Sequence, residues 1–197
     1  MREKEDNQMK VQKGFTAWFT GLPCSGKTTI ADKVAEILKK EGLRTERLDG
    51  DNVRKGLTDD LGFSKEDRNE NIKRVTFVAK LLTRNDVAVF ATFVSPYRER
   101  RLKTREDIGE FVEIYARCPV KICIERDVKG MYKKALSGEI KNFTGINDPY
   151  EEPLQPDLVL DTDKESIDES VQKVINKLSE LGYFKINRYF KYDPWYS

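Results

Sequence analysis

The octapeptide Gly21-Leu22-Pro23-Cys24-Ser25-Gly26-Lys27-Thr28 constrains this chain more than any other stretch. A glycine, four residues and then Gly-Lys-Thr form the phosphate-binding P-loop pattern. Its context fits. The apolar run Phe15-Thr16-Ala17-Trp18-Phe19 precedes it, and Ile30, Ala31, Val34, Ile37 and Leu38 follow at helical spacing. A buried strand that turns into a helix through such a loop aims backbone N–H groups and the positive helix end at one spot. A glycine turn capping an ordinary helix is the plainer alternative, but spacing and context together favour nucleotide binding. Residues Gly21 to Thr29 are thus expected to hold a nucleoside triphosphate, with Lys27 between the β- and γ-phosphates and the Thr28 hydroxyl on Mg²⁺.

The remaining chain supplies the rest of an α/β fold. Helical spacing covers 26–41, with Gly42 placed as a C-cap glycine, and a short strand spans 45–48. Ser64-Lys65-Glu66-Asp67 reads as a capping box opening a long helix whose apolar residues are Ile72, Val75, Val78, Ala79 and Leu82. A buried strand is expected within 86–94, a very basic helix over 97–105, a strand over 111–116 and a helix over 120–126. A last strand spans 157–161, and Ser166 opens a final helix with Ile167, Val171, Val174, Ile175 and Leu178 facing inward. Strands alternating with helices predict a P-loop NTPase-like three-layer sandwich, an open, mainly parallel sheet with helices on both faces. Ligands then bind at the carboxyl ends of the strands. Residues 128–153 are rich in Lys, Gly and Pro with little apolar periodicity, which predicts a functional loop or lid. Residues 1–13 are expected to form a polar, flexible arm and 14–182 one domain. The tail, 183–197, carries seven aromatic residues and is expected to pack on its own surface or on a second subunit.

Composition narrows the chemistry. The net charge is +2, so no global field marks a nucleic-acid or membrane binder, and the three cysteines lack metal-ligand spacing. No signal peptide or membrane-length apolar run is seen, which predicts a reduced, cytoplasmic setting. Histidine is absent, so a Ser-His-Asp site is excluded and proton transfer falls to carboxylates, Lys, Tyr, water or the substrate. A GTPase should carry Asn-Lys-x-Asp, and none occurs. The strand ending at Val94 also lacks the acidic residue that commonly ends a Walker B strand. Asp49 and Asp51, in Asp49-Gly50-Asp51-Asn52 just after the second strand, are therefore the candidate catalytic carboxylates. Arg54, Phe63, Arg68, Asn71 and Arg74 form a second cluster suited to a flat base and anionic groups.

With these motifs the chain resembles the adenylylsulfate kinases, which act on adenosine 5′-phosphosulfate (APS). The likeness spans nearly all of 14–181. It rests on Asp49-Gly50-Asp51-Asn52-Val53-Arg54, Leu61-Gly62-Phe63-Ser64, Glu66-Asp67-Arg68, Glu70-Asn71-Ile72 with Arg74, Ser95-Pro96-Tyr97-Arg98 and Glu125-Arg126-Asp127-Val128-Lys129-Gly130. The run from Gly138 through Lys141-Asn142-Phe143-Thr144-Gly145 to Glu151 is the most distinctive. The resemblance implies transfer of the ATP γ-phosphate to the ribose 3′-hydroxyl of APS, giving 3′-phosphoadenylylsulfate (PAPS) and ADP, with Mg²⁺ as cofactor and a homodimer as assembly. Lys27, Asp49 and Asp51 would be catalytic, with Asp49 preferred as base and Asp51 helping Thr28 order the metal and its water. Arg126 and Lys129 would contact ATP. Asp51, Arg54, Phe63, Arg68, Asn71, Arg74, Ser95, Lys141, Phe143 and Thr144 would bind APS, with Phe63 and Phe143 sandwiching its adenine. Two stretches depart from the family pattern. The loop reads Leu-Pro-Cys-Ser where Leu-Ser-Gly-Ala is common, and the aromatic tail has no counterpart. A kinase for another nucleotide-like acceptor on the same scaffold is the nearest alternative, and a non-catalytic nucleotide-dependent binder is the more distant one.

Overall fold

The first strand has two buried faces, which is why it reads as an unbroken apolar run. In β1 (Phe15–Thr20) the side chains of Phe15, Ala17 and Phe19 join one core and Trp18 joins another. In the computed structural model, which describes residues 13–185, four further strands follow. They are β2 (Thr45–Asp49), β3 (Ala88–Thr92), β4 (Phe111–Arg117) and β5 (Leu158–Asp161). All pairings are parallel, in the order β2-β3-β1-β4-β5, with Phe15 opposite Ala88 and Thr16 opposite Phe111. The predicted open, parallel sheet is the one observed.

Seven helices are found among the described residues: α1 (Lys27–Lys40), α2 (Gly50–Val53), α3 (Lys65–Thr83), α4 (Arg98–Ile108), α5 (Val120–Arg126), α6 (Met131–Leu136) and α7 (Ile167–Glu180). On one face Phe15, Phe19 and Phe90 pack with Ile30, Val34 and Leu38 of α1 and Val174, Ile175 and Leu178 of α7. On the other, Trp18 stacks on Phe93 at 5.3 Å and packs with Ile72 and Val75 of α3. Each of these buried side chains contributes on the order of 2 kcal/mol by leaving water.

The caps explain where helices start. Ser166 and Glu169 form a complete capping box on α7, whereas at α3 only Ser64 accepts, from the Asp67 N–H at 3.0 Å. One sequence expectation needs correction, and two stretches gain detail. Ile167 is exposed although its spacing puts it in line with Val171, Val174 and Leu178, because it is the first residue of α7, at the helix end beside the cap. Residues 128–153, read as a functional loop or lid, are partly ordered into a helix. They contain α6 and a third apolar cluster of Tyr132, Ala135 and Phe143 with Cys118 and Cys123. A six-residue helix is too short to show periodicity. Tyr183 and Phe184, the first residues of the stretch read as the tail, are buried in the first core, and the Tyr183 ring lies 4.6 Å from Phe15. The tail beyond 185 and the arm through 12 lie outside the described residues.

A buried ionic node fixes the end of segment 128–153. The guanidinium of Arg101, only 2% exposed, donates to Glu113 at 2.7 Å, to the Ser95 carbonyl at 2.6 Å and to the Glu151 carbonyl at 2.7 Å. The Glu151 carboxylate accepts the Arg98 N–H at the start of α4, and Arg105 pairs with Asp157 at 2.6 Å. Removing one partner of a buried pair strands the other's charge, which costs about 3–5 kcal/mol. Glu113→Ala is therefore expected to lower unfolding stability by about that amount in urea titration. An unchanged midpoint and slope would refute the pairing as a structural node.

Candidate active site

The loop after β1 has a shape that its residues impose. Gly21 has φ 148°, and a Cβ there would stand 2.5 Å from the Ala116 carbonyl oxygen, so strand β4 leaves no room for a side chain. Cys24 has φ 60°, in the left-handed region, and the Ser25 N–H closes a turn onto the Leu22 carbonyl at 3.2 Å. Lys27 is buried. Its ammonium donates to the carbonyls of Gly21 (2.9 Å) and Leu22 (2.6 Å) and to Ser25 Oγ (3.3 Å). Burial away from water lowers its pKa to about 8. Thr28 and Thr29 are exposed in the first turn of α1, which holds no acidic residue. An anion at this helix end meets only positive partial charge.

At the end of β2, Asp49 N-caps α2. Its Oδ1 accepts from the N–H groups of Asp51 and Asn52, both at 3.0 Å, and no described residue donates to Oδ2. Asp51 is exposed and pairs with Lys129 of segment 128–153. Among the described residues no group of three or more His, Cys, Asp or Glu is arranged to hold an ion. The hard oxygens offered are the Thr28 hydroxyl and the Asp51 carboxylate. That donor set fits Mg²⁺, which keeps several waters and takes other ligands from phosphate. Ser95, just beyond β3, is buried at φ 39°. The indole N–H of Trp18 donates to its Oγ at 3.0 Å, and its Oγ donates to Thr20 at 3.1 Å.

The second predicted cluster is assembled on the start of α3 and the loop before it. Arg54 donates to the carbonyls of Leu61 and Gly62 and lies 4.3 Å over the Phe63 ring, which is 56% exposed. Arg68 donates to the carbonyls of Phe63 and Asn142 and lies 3.6 Å from Asp148, so it joins this loop to segment 128–153. Asn71 is buried and accepts from the Thr58 hydroxyl at 2.7 Å. Arg74 is held by both oxygens of Asp60, at 2.7 and 2.9 Å, and by Glu70, which together raise its already high pKa. Lys141 is exposed. Phe143 is buried edge-on against Tyr132, with ring centroids 4.9 Å apart. Thr144 is buried, and its hydroxyl has no hydrogen-bond partner among the described residues. The two rings expected to sandwich a base thus differ, one open to solvent and one seated in a core.

On the opposite side of the loop, Arg126 donates to the Thr162 carbonyl at 2.6 Å and reaches the Cys24 carbonyl at 3.5 Å, linking the end of β5 to the phosphate loop. Residues 145–150 with Leu22 and Glu152 line an open cleft of about 550 Å³. Sequence reasoning missed Arg101, Tyr132 and Glu151. Arg101 lies in a basic run that reads as a solvated face, and only the fold supplies its buried partners.

A central β1, a phosphate loop around a buried lysine and paired clusters at the carboxyl edge define a P-loop phosphotransferase. The chain belongs to the adenylylsulphate kinase family, whose sequence model matches residues 13–161. It is 58% identical over 178 residues to the adenylyl-sulfate kinase of Halothermothrix orenii, covering 90% of this chain and 96% of that protein. To the adenylyl-sulfate kinase of Picosynechococcus it is 57% identical over 171 residues, 87% of this chain and 97% of that one. Among solved structures it is similar to the Mycobacterium tuberculosis APS kinase CysC in complex with AMPPNP and APS. That likeness has a TM-score of 0.81 and 45% identity, over 85% of this chain and 98% of that one.

The lowered pKa of Lys27 fixes the sign of a pH effect. Between about pH 8 and the ordinary value of 10.5, the unfolded chain binds the proton that the folded chain has lost. Stability therefore rises with pH across that window, and the cost is fully present below it. Relative to Lys27→Met, the wild type is expected to gain about 3 kcal/mol from the lower to the upper end, measured by urea unfolding. Parallel stability curves for the two proteins would contradict a buried, titrating Lys27.

Proposed function

We propose that this chain transfers the γ-phosphoryl group of ATP to the 3′-hydroxyl of adenosine 5′-phosphosulfate, giving PAPS and ADP. The observation that carries this reading is the likeness to a kinase solved with an ATP analogue and APS bound together, at 45% identity over most of both chains. The 3′-oxygen forms its bond to the γ-phosphorus as the bond to the β,γ-bridging oxygen breaks, so the protein's work is positioning and charge neutralisation. Lys27 exchanges the carbonyls of Gly21 and Leu22 for phosphate oxygens, beside the N–H groups of Gly21 to Thr29 other than Pro23, which has none. Asp49, with one oxygen fixed by two N–H groups and the other open, receives the hydroxyl proton. Thr28 and Asp51 would hold Mg²⁺, which would supply charge neutralisation on the transferring phosphate. Arg126 and Lys129 lie along ATP.

On the acceptor side, Phe63 and Phe143 grip the adenine, while Asp51, Arg54, Arg68, Asn71, Arg74, Ser95, Lys141 and Thr144 supply polar contacts to ribose and phosphosulfate. Residues 128–153 act as a lid that excludes water before transfer, anchored at its end by Arg101 and Glu151. The domain runs from 14 to the 182–184 region, and the homodimer and cytoplasmic location belong to this reading on the family resemblance. No described helix is long and apolar enough to cross a membrane.

The test is ADP release from Mg-ATP with a panel of nucleotide acceptors, each product identified by mass. APS is expected to be consumed and PAPS formed. Phosphorylation of another acceptor with no PAPS would sink the assignment. Asp49→Asn is expected to lower kcat by about 100-fold or more, in the range of general-base removal. Phe63→Ala is expected to raise KM for APS about tenfold and leave KM for ATP within twofold, the loss of one stacked face.

A further inference from the structure

One fully buried side chain touches both halves of the site. Tyr132, on α6, donates from its hydroxyl to the Pro23 carbonyl of the phosphate loop at 3.1 Å, and its ring meets Phe143 edge-on at 4.9 Å and 77°. Its own placement is fixed from below. The Asp127 carboxylate accepts the N–H groups of Tyr132 and Lys133, both at 3.0 Å, and so sets the first turn of α6. Burial pushes the phenol well above its usual range, which keeps the hydroxyl a donor at any working pH.

The Pro23–Cys24 peptide makes this contact consequential. Pro23 has no N–H, so the next donor in the loop is that of Cys24, whose backbone is left-handed at φ 60°. In a planar trans peptide the C=O and the following N–H point in opposite directions. By holding the Pro23 carbonyl, the Tyr132 hydroxyl therefore aims the Cys24 N–H away from α6. From these contacts we infer that Tyr132 is a positioning residue that couples the phosphate loop to the Phe143 segment. Phosphate bound at the loop steadies the Pro23–Cys24 peptide, the peptide steadies Tyr132, and Tyr132 steadies Phe143. The coupling is reciprocal, so a planar acceptor held at Phe143 tightens the nucleotide in turn. A second contact runs in parallel, where Leu22 packs on Gly145 so closely that a Cβ at 145 would stand 2.8 Å from it. It is apolar and does not orient a donor.

The identity of the acceptor rests on the function proposed above, so the first readout is chosen not to need it. Amide hydrogen exchange in residues 141–147 is measured with and without saturating non-hydrolysable ATP analogue, in the wild type, Tyr132→Phe and Phe143→Leu. The wild type is expected to show exchange slowed fivefold or more. Tyr132→Phe keeps the ring and loses the bond; it should bind the analogue several-fold more weakly and, once saturated, show slowing of less than twofold. Phe143→Leu keeps the bond, so analogue affinity should stay within twofold while the slowing is again lost. The second readout is the ratio of APS dissociation constants without and with analogue, expected to exceed five in the wild type and to approach one in both variants. Full slowing in saturated Tyr132→Phe, or none in the wild type, overturns the inference. If Tyr132→Phe does not fold, full slowing in Phe143→Leu overturns it equally. Slowing that follows Tyr132 in a protein that forms no PAPS would sustain the coupling and refute the acceptor.

Discussion

The ligand edge is arranged around a buried ammonium that no carboxylate opposes among the described residues. Lys27 is held by two carbonyls and a hydroxyl of its own loop, and burial leaves it easier to deprotonate than a lysine in water. Carbonyl dipoles compensate a full charge incompletely, so the loop carries an electrostatic deficit that an anion can fill. The rest of the fold keeps that deficit in place. A two-sided apolar β1 buries the strand that delivers the loop, and the Ala116 carbonyl of β4 closes on Gly21 so that the turn has one shape. Strand β3 on the other side brings Ser95 to the same edge, strained at φ 39° but held by Trp18 and Arg101.

The cluster at the start of α3 follows a different electrostatic plan. Its arginines are exposed or half-buried and already have protein acceptors: Asp60 and Glu70 for Arg74, Asp148 for Arg68, and loop carbonyls for Arg54. These partners fix guanidinium planes before any ligand arrives. An anion bound in this cluster would meet donors that need little reorganisation, which is where a preorganised site gains over water. The Lys129–Asp51 pair adds a link between segment 128–153 and the carboxylates after β2.

How much could be read from the sequence depended on the range of each signal. Strands β1, β3 and β4 and helices α1, α3 and α7 were legible because their buried stripes repeat over two or more turns or fill both faces of a strand. The phosphate loop was legible because turn chemistry is local, whereas α2 and its Asp49 cap were not, since four residues show no period. Helix α6 was not, since six residues cannot display a period. Nor was the burial of Arg101, because its partners come from β4 and from the far end of segment 128–153. Phe143 shows the same limit. The sequence placed an aromatic in the right segment, but that its ring rests against Tyr132 is a tertiary fact.

At the other end of the sheet, the Tyr183 ring rests on Phe15 while the ammonium of Lys13, itself paired with Glu110, stands 5.5 Å from the centre of that ring. Entry into β1 and exit from the last helix therefore meet at the amino edge, a full strand length from the phosphate loop. A chain cut back to these two places would carry its ends at the edge of the sheet opposite the phosphate loop. The two places are also near enough for a short peptide to join them. The chain is thus suited to circular permutation, with new ends opened in an exposed turn elsewhere on the surface.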